Sequence, residues 1–199
     1  QGAQGVAVGV QAGKTSQGTD ATAVGRNAGL TAQGSESVAV GFQSGKTSQA
    51  TASVAIGRLA GSISQQTLCV AIGNRAGESA QQGHSVAIGY QSGRYNQASR
   101  CVAIGNNAGT NAQGSDSVAI GTTAGQVSQG YNGVAIGNTA GYNAQGIAAT
   151  AVGNYAGNIA QQQFCVAIGH AAGVTSQSMQ DTNSRSVAIG ADSGYTNQG

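Results

Sequence analysis

Three cysteines are the residues most capable of covalent chemistry in this 199-residue sequence. Cys69, Cys101 and Cys165 follow one another at intervals of 32 and 64 residues. Both intervals are multiples of sixteen, so the thiols recur in one phase of a regular sequence period. Cysteines in such a column can serve as small side chains in a tight interior, or can meet their equivalents in neighbouring identical chains. The sequence leaves both interpretations open, and the three residues are candidate interchain contacts.

Patterns for other covalent or metal chemistry are missing from the sequence. Cysteines two sixteen-residue coils apart would have Cα atoms about 9.6 Å apart, too far for an intrachain disulfide. The sequence contains no C-x-x-C, and its two histidines, His84 and His170, fall in different phases of the period, which argues against zinc. The six carboxylates are scattered rather than paired for hydrolysis. We therefore predict no catalytic site, no metal, no cofactor and no enzyme activity.

Composition excludes two classes of partner. Only 7% of the residues are charged and the formal net charge is +2, so the chain has no general basic field that could follow a phosphate backbone. No apolar run of about twenty residues is present, as a membrane-spanning helix would need. We expect neither nucleic-acid binding nor direct membrane insertion.

A sixteen-residue repeat positions all these side chains. V-A-I-G or a close variant begins at Val6 and recurs every sixteen residues as far as Val166, and a last copy begins at Val187. Numbered from that first residue, position 2 is Ala, positions 4 and 8 are Gly, and position 12 is Gln in every copy. The glutamine column comprises Gln17, Gln33, Gln49, Gln65, Gln81, Gln97, Gln113, Gln129, Gln145, Gln161, Gln177 and Gln198.

A repeat of this length suits one coil of a β-solenoid with two short strands and two turns. The alternation of Val and Ile with Ala and Gly predicts a first strand at positions 1–4, whose bulky residues would face inward. A second strand is expected at positions 7–11, with turns near 4–6 and 12–15. We predict one all-β solenoid over residues 1–199, a parallel β-roll of about twelve coils, with a loop insertion at 178–186 before the last coil.

Stacking of coils places equivalent residues about 4.8 Å apart. The glutamine side chains would therefore form a structural ladder of amides that bond to one another. The same stacking turns Ala at position 2 and Gly at position 4 into a smooth strip of small residues. Since the core of one chain is thin, we expect a parallel homotrimer with this strip, or the adjacent position 16, near the axis.

The S-V-A-I-G segments at Ser85–Gly89 and Ser117–Gly121 resemble the head repeats of YadA-like trimeric autotransporter adhesins. The longer pattern V-A-I-G-x-x-A-G-x-x-x-Q-G is similar to repeats of phage and large-virus fibre proteins, and the likeness covers nearly the whole chain. The resemblance implies a left-handed parallel β-roll, three chains side by side, and display outside the cell, on a cell surface or on a virion surface for attachment. It leaves bacterial and viral origin open.

Four aromatic residues at variable positions of the repeat are candidate receptor contacts. Tyr90, Tyr95, Tyr142 and Tyr155 fall where the repeat varies freely, so we expect them on the outer surface. Tyrosines on a polar surface can stack on sugars or anchor a protein partner. The expected partner is a glycan or protein receptor on a host surface.

Two functional hypotheses from different classes follow. The first is a structural attachment protein, the shaft or head of a trimeric adhesin or of a viral or phage fibre. The alternative is an ice-binding or ice-nucleating solenoid, because Thr15, Thr31 and Thr47 recur at position 10 and a flat ladder of threonines can order water. That ladder is interrupted from Ile63 to Ile159.

Overall fold

The computed structural model describes residues 2–175 and 185–195 and is a β-solenoid. Its strands lie in two columns, which we call A strands (positions 1–3 of the repeat) and B strands (positions 10–12). Each strand pairs in parallel with its equivalent one repeat later, as Val38 does with Val54. No helix occurs in the part of the chain that is described. The residues form two compact units, Gln1–Arg100 and Cys101–Gly199, and each is built in this way.

In the first unit, both strand columns keep the predicted sixteen-residue register. The A strands are Val6–Val8, Thr22–Val24, Val38–Val40, Val54–Ile56, Val70–Ile72 and Val86–Ile88. The B strands are Thr15–Gln17, Thr31–Gln33, Thr47–Gln49 and Ile63–Gln65. Parallel bridges from Ile63 to Ser79 and from Ser79 to Tyr95 continue the B column.

The second unit repeats the arrangement. Its A strands are Val102–Ile104, Val118–Ile120, Val134–Ile136, Thr150–Val152, Val166–Ile168 and Val187–Ile189. Its B strands are Asn111–Gln113 and Val127–Gln129. Single parallel bridges join Val127, Asn143, Ile159 and Thr175 in the same column. The second strand of the coil thus lies at positions 10–12 in both units, three residues later than the beginning that we expected.

The inward side of the A strand is the opposite of the one predicted. Ala at position 2 is fully buried from Ala23 to Ala167, whereas the Val and Ile side chains at positions 1 and 3 are partly or fully exposed throughout. The inward side chains are Ala at position 2, Ala or Ser at 7, Gln at 12, and Ala, Ser, Cys or Gly at 16. Strands of only three residues enclose too narrow a space for two columns of branched aliphatic side chains, so the small residues fill it.

Glycine at position 8 makes room for the glutamine. Gly45 has a φ of 49°, and a Cβ placed there would lie 2.6 Å from Oε1 of Gln49. The same conflict recurs at Gly125, where a Cβ would lie 2.8 Å from Oε1 of Gln129. Any side chain at this position would displace the amide that occupies the coil centre, which explains why A-G-x-x-x-Q behaves as one motif.

Candidate functional site

The glutamine column forms an amide ladder in the interior. In the first unit, Nε2 donates to Oε1 of the next glutamine over 3.1 Å from Gln49 to Gln65 and 3.0 Å from Gln65 to Gln81. In the second unit, the Gln129 to Gln145 distance is 3.0 Å. The same nitrogen also donates to the carbonyl at position 1 of its own coil, as from Gln65 to Val54 over 2.9 Å. The amides of Gln49, Gln65 and Gln129 therefore each join their own A strand to the next coil. The ladder is interrupted at Gln33 and at Gln129, whose Oε1 atoms accept no hydrogen bond. Gln177 and Gln198 lie outside the described residues.

The cysteines lie in the interior of the coil, as the first of the two interpretations would have it. Cys69, Cys101 and Cys165 have no exposed surface, and none of them forms a disulfide within the chain. Cys69 Sγ donates to the carbonyl oxygen of Gln82 over 3.0 Å, and Cys101 Sγ to that of Gly114 over 2.9 Å. A thiol that is enclosed within its own coil is poorly placed to contact a second chain, so burial favours small interior side chains over interchain contacts.

Burial also alters the acidity of two of these thiols. It raises the pKa of Cys69 above its ordinary value, and hydrogen bonds from the surrounding backbone only partly oppose this. Burial likewise raises the pKa of Cys101, again against the effect of hydrogen bonds, chiefly at Ser117. Because the thiolate is the reactive form, both groups are unsuited to nucleophilic or metal chemistry.

The outward side of the A strands, which we call the A face, is an apolar surface that runs along each unit. Each strand contributes its residues at positions 1 and 3, which are Val or Ile except for Thr22 and Thr150. Exposed fractions are 38% at Ile56 and 39% at Ile168, and they rise to 57% at Val8 and 65% at Ile189 in the first and last described coils. No charged residue occupies these two positions. The sequence pattern did not predict the A face, because alternation alone does not tell which side of a strand faces inward. Ala occurs at position 2 in every copy, and this was the signal that could have identified the inner side.

The four candidate tyrosines are on the surface and are divided between the two units. Tyr90, Tyr95 and Tyr155 are exposed, and Tyr142 is half-buried. Tyr90 accepts a hydrogen bond from Gln91, and the Arg94 guanidinium lies 4.4 Å from the centre of the Tyr95 ring. Tyr90 and Tyr95 belong to the first unit and Tyr142 and Tyr155 to the second.

Tyr155 lines a groove of about 460 Å³ in the second unit. The groove forms because position 6 reads Tyr155, Ala171 and Asp192 in successive coils, so that a small residue lies between two larger ones. Nδ1 of His170 lies 3.8 Å from Oδ1 of Asp192 at its rim. The remaining lining residues are Asn158, Val174 and Tyr195. Two aromatic rings with amide, imidazole and carboxylate groups can stack on and hydrogen-bond a small polar ligand.

Other expected features have the following outcomes. Most of the insertion at 178–186 lies outside the described residues. Within residues 2–175 and 185–195, no group of three or more potential ligand side chains could hold a metal ion. The same residues contain no helix that is long and apolar enough to cross a membrane.

The fold and its surfaces define the chain as a β-solenoid repeat protein. Comparisons with protein-family models, with curated proteins and with solved structures give no match. Functional inference therefore depends on the surfaces described above.

Proposed function

We propose that the chain is the repeat-built shaft or head of a surface-attachment protein, either a trimeric adhesin or a viral or phage fibre. It acts outside the cell, on a cell surface or on a virion surface. Its role is structural and adhesive rather than enzymatic, and its partners are two further copies of the chain and a glycan or protein receptor.

The observation that carries this proposal is the A face. The interior of each coil is filled by small residues and glutamine, so the Val and Ile columns lie outside it and are partly or fully exposed in the single chain. Extended apolar surfaces on soluble proteins mark sites of association, because burial removes them from water. A closed trimer with three A faces turned to a common axis would bury all of them equally. This arrangement replaces the strip of small residues as the contact surface, since Ala at position 2 is inside the coil.

Sequence resemblance and the tyrosine groove support the adhesive part of the proposal. The V-A-I-G-x-x-A-G-x-x-x-Q-G pattern is similar to repeats of adhesin heads and viral fibres. The groove at Tyr155 remains on the outside when the A faces are turned inward, because its residues occupy positions 5, 6 and 9 of the repeat. We propose this groove as the receptor contact.

Adhesion of coated beads tests the function. Beads carrying the wild-type chain should adhere to at least one member of a panel of animal, protist and bacterial cells. Tyr155→Ala should reduce the number of adherent beads at least about tenfold if the groove supplies a hot-spot contact. Tyr131→Ala, an equally exposed tyrosine at position 14 of the same unit, is the matched control. Adhesion to no cell type, or equal loss with both variants, would contradict the proposal.

Ice binding is the competing function. Thr15, Thr31 and Thr47 are in register on adjacent B strands, and all are at least partly exposed. An ice-recrystallisation assay separates the two hypotheses. Inhibition by wild type that is lost in Thr31→Val would favour the alternative.

A further inference from the structure

Charge is distributed unequally between the two units. Residues 1–100 contain seven Lys and Arg against three carboxylates, whereas residues 101–199 contain one Arg against three carboxylates. The low net charge of the whole chain therefore hides a cationic first unit.

Six of those seven cations lie at one turn of the coil. They occupy positions 5, 6 and 9, in the turn between the A strand and the B strand. We call this group the basic corner, and its members are Lys14, Arg26, Lys46, Arg58, Arg75 and Arg94. Glu78 is the only carboxylate at these positions in the first unit, and its Oε2 lies 2.5 Å from Nε of Arg94. Asp20 and Glu36 are at position 15, in the other turn. Six of the seven cations of the first unit thus lie in one turn, and two of its three carboxylates lie in the other.

Phe42 organises the centre of the basic corner. The guanidinium of Arg26, one coil earlier, lies 5.0 Å from the centre of the Phe42 ring, and that of Arg58, one coil later, lies 5.9 Å from it. Cation–π contacts of this kind hold guanidinium groups over an aromatic ring. Arg26 and Arg58 are nevertheless exposed, so they are oriented but still open to a ligand.

The cations repeat with a period of two coils. Arg26 and Arg58 are separated by two coils, as are Lys14 and Lys46, and two coils advance about 9.6 Å along the stack. A row of cations at regular intervals suits an extended anionic polymer better than one compact anion. Guanidinium groups bind sulfate and carboxylate through paired hydrogen bonds.

Phe42 also indicates which polymer fits. Proteins that bind single-stranded nucleic acid offer aromatic faces on which bases stack. The Phe42 ring already has two guanidinium groups near it, at 5.0 Å and 5.9 Å from its centre, and a stacking base would have to compete with them. We propose that the basic corner binds a linear acidic polysaccharide, with Arg26, Arg58, Lys14 and Lys46 pairing with its sulfate or carboxylate groups. The inference rests on the proposed attachment function, and names the chemical class of one receptor.

Binding of a fluorescent heparin octasaccharide, a sulfated probe, tests the proposal by titration at about 0.15 M salt. The double variant R26Q/R58Q should bind at least about tenfold more weakly, and its slope of log K against log salt should fall by about two. The matched control R100Q/R185Q removes two charges outside the corner and should stay within about twofold of wild type.

Three results would overturn the proposal: no heparin binding by wild type, equal loss in the control, or equally tight binding of an oligodeoxythymidylate of the same charge. Failure of this proposal can be distinguished from failure of the attachment function. Trimers that adhere to cells but do not bind heparin would refute only the basic corner. Monomers that bind heparin through Arg26 and Arg58 would refute only the trimeric fibre.

Discussion

Cysteine and serine can replace one another at position 16 because each can donate a hydrogen bond to the carbonyl oxygen at position 13 of the next coil. Ser53 Oγ donates to the Gln66 carbonyl over 2.7 Å, as Cys69 Sγ does to Gln82 one coil later. Ser85 makes the corresponding bond to Ala98. The cysteines are therefore explained by packing and hydrogen bonding within one chain.

Their titration predicts a stability difference at alkaline pH. The pKa values of Cys69 and Cys101 are raised by burial above 9.0, so above that pH the unfolded chain loses protons that the folded chain retains. The stabilising contribution is complete below about pH 9 and is lost as the pH rises towards the folded-state pKa. Its slope is at most about 1.4 kcal/mol per pH unit for each thiol.

Urea unfolding at pH 7 and about pH 10, at one fixed chain concentration, measures this effect. The wild-type chain should lose more stability than C69S/C101S, because serine does not titrate in this range and the two proteins share all other groups. An identical loss in both proteins would show that the thiols are not buried as described.

Backbone strain at position 6 gives a second prediction. Thr123 has a φ of 54°, a conformation unfavourable for a β-branched residue, whereas its equivalents Asn27 and Asn107 are of a type that tolerates it. Thr123→Asn should raise the free energy of unfolding by about 1 kcal/mol. Thr122→Asn, where φ is not in the left-handed region, should change it by less than about 0.5 kcal/mol. Urea midpoints of the two variants provide the comparison, and equal midpoints would contradict the strain.

At the scale of the strand columns, the glutamine ladder predicts that a Gln→Glu substitution destabilises the fold far more inside the ladder than outside it. Gln65 is fully buried, and its Nε2 donates to Gln81 and to the Val54 carbonyl. Gln65→Glu would replace that donor with a carboxylate oxygen that faces two acceptors at a fully buried position. We expect a loss of about 3 kcal/mol or more in unfolding free energy.

The neighbouring Gln66 offers the matched control. It is exposed and only accepts a hydrogen bond, from the Gly83 amide, which a carboxylate can also accept. Gln66→Glu should therefore change the unfolding free energy by less than about 0.5 kcal/mol. Similar losses for both variants in urea unfolding would exclude a ladder role for Gln65.

The sequence sufficed to predict the register but not which side of the strand faces inward. The sixteen-residue spacing places Val38 beside Val54, as the structure has it. Bulky residues were expected inside because burial of Val and Ile is usually favourable. Here the width of the coil decides, since Ala39 and Gln49 fill the interior and leave Val38 outside. The groove at Tyr155 could not be predicted either. It depends on contacts between side chains of neighbouring coils, and the residue at position 6 differs from one coil to the next.

For the whole molecule, the central claim is that chains associate through the A face. Ile56 and Ile104 lie on that face, one in each unit, with exposed fractions of 38% and 36%. Ile63 and Ile159 at position 10 have exposed fractions of 49% and 44% but lie outside the A face. Both pairs are exposed in a single chain, so lysine at either pair should leave the coil intact. A charge buried in an apolar interface, however, is strongly unfavourable.

The native mass measured by light scattering tests this claim most directly. The account predicts three times the chain mass of 19.3 kDa for the wild type and for I63K/I159K, and a single chain mass for I56K/I104K. A monomeric wild type, or a trimer that survives I56K/I104K, would contradict it.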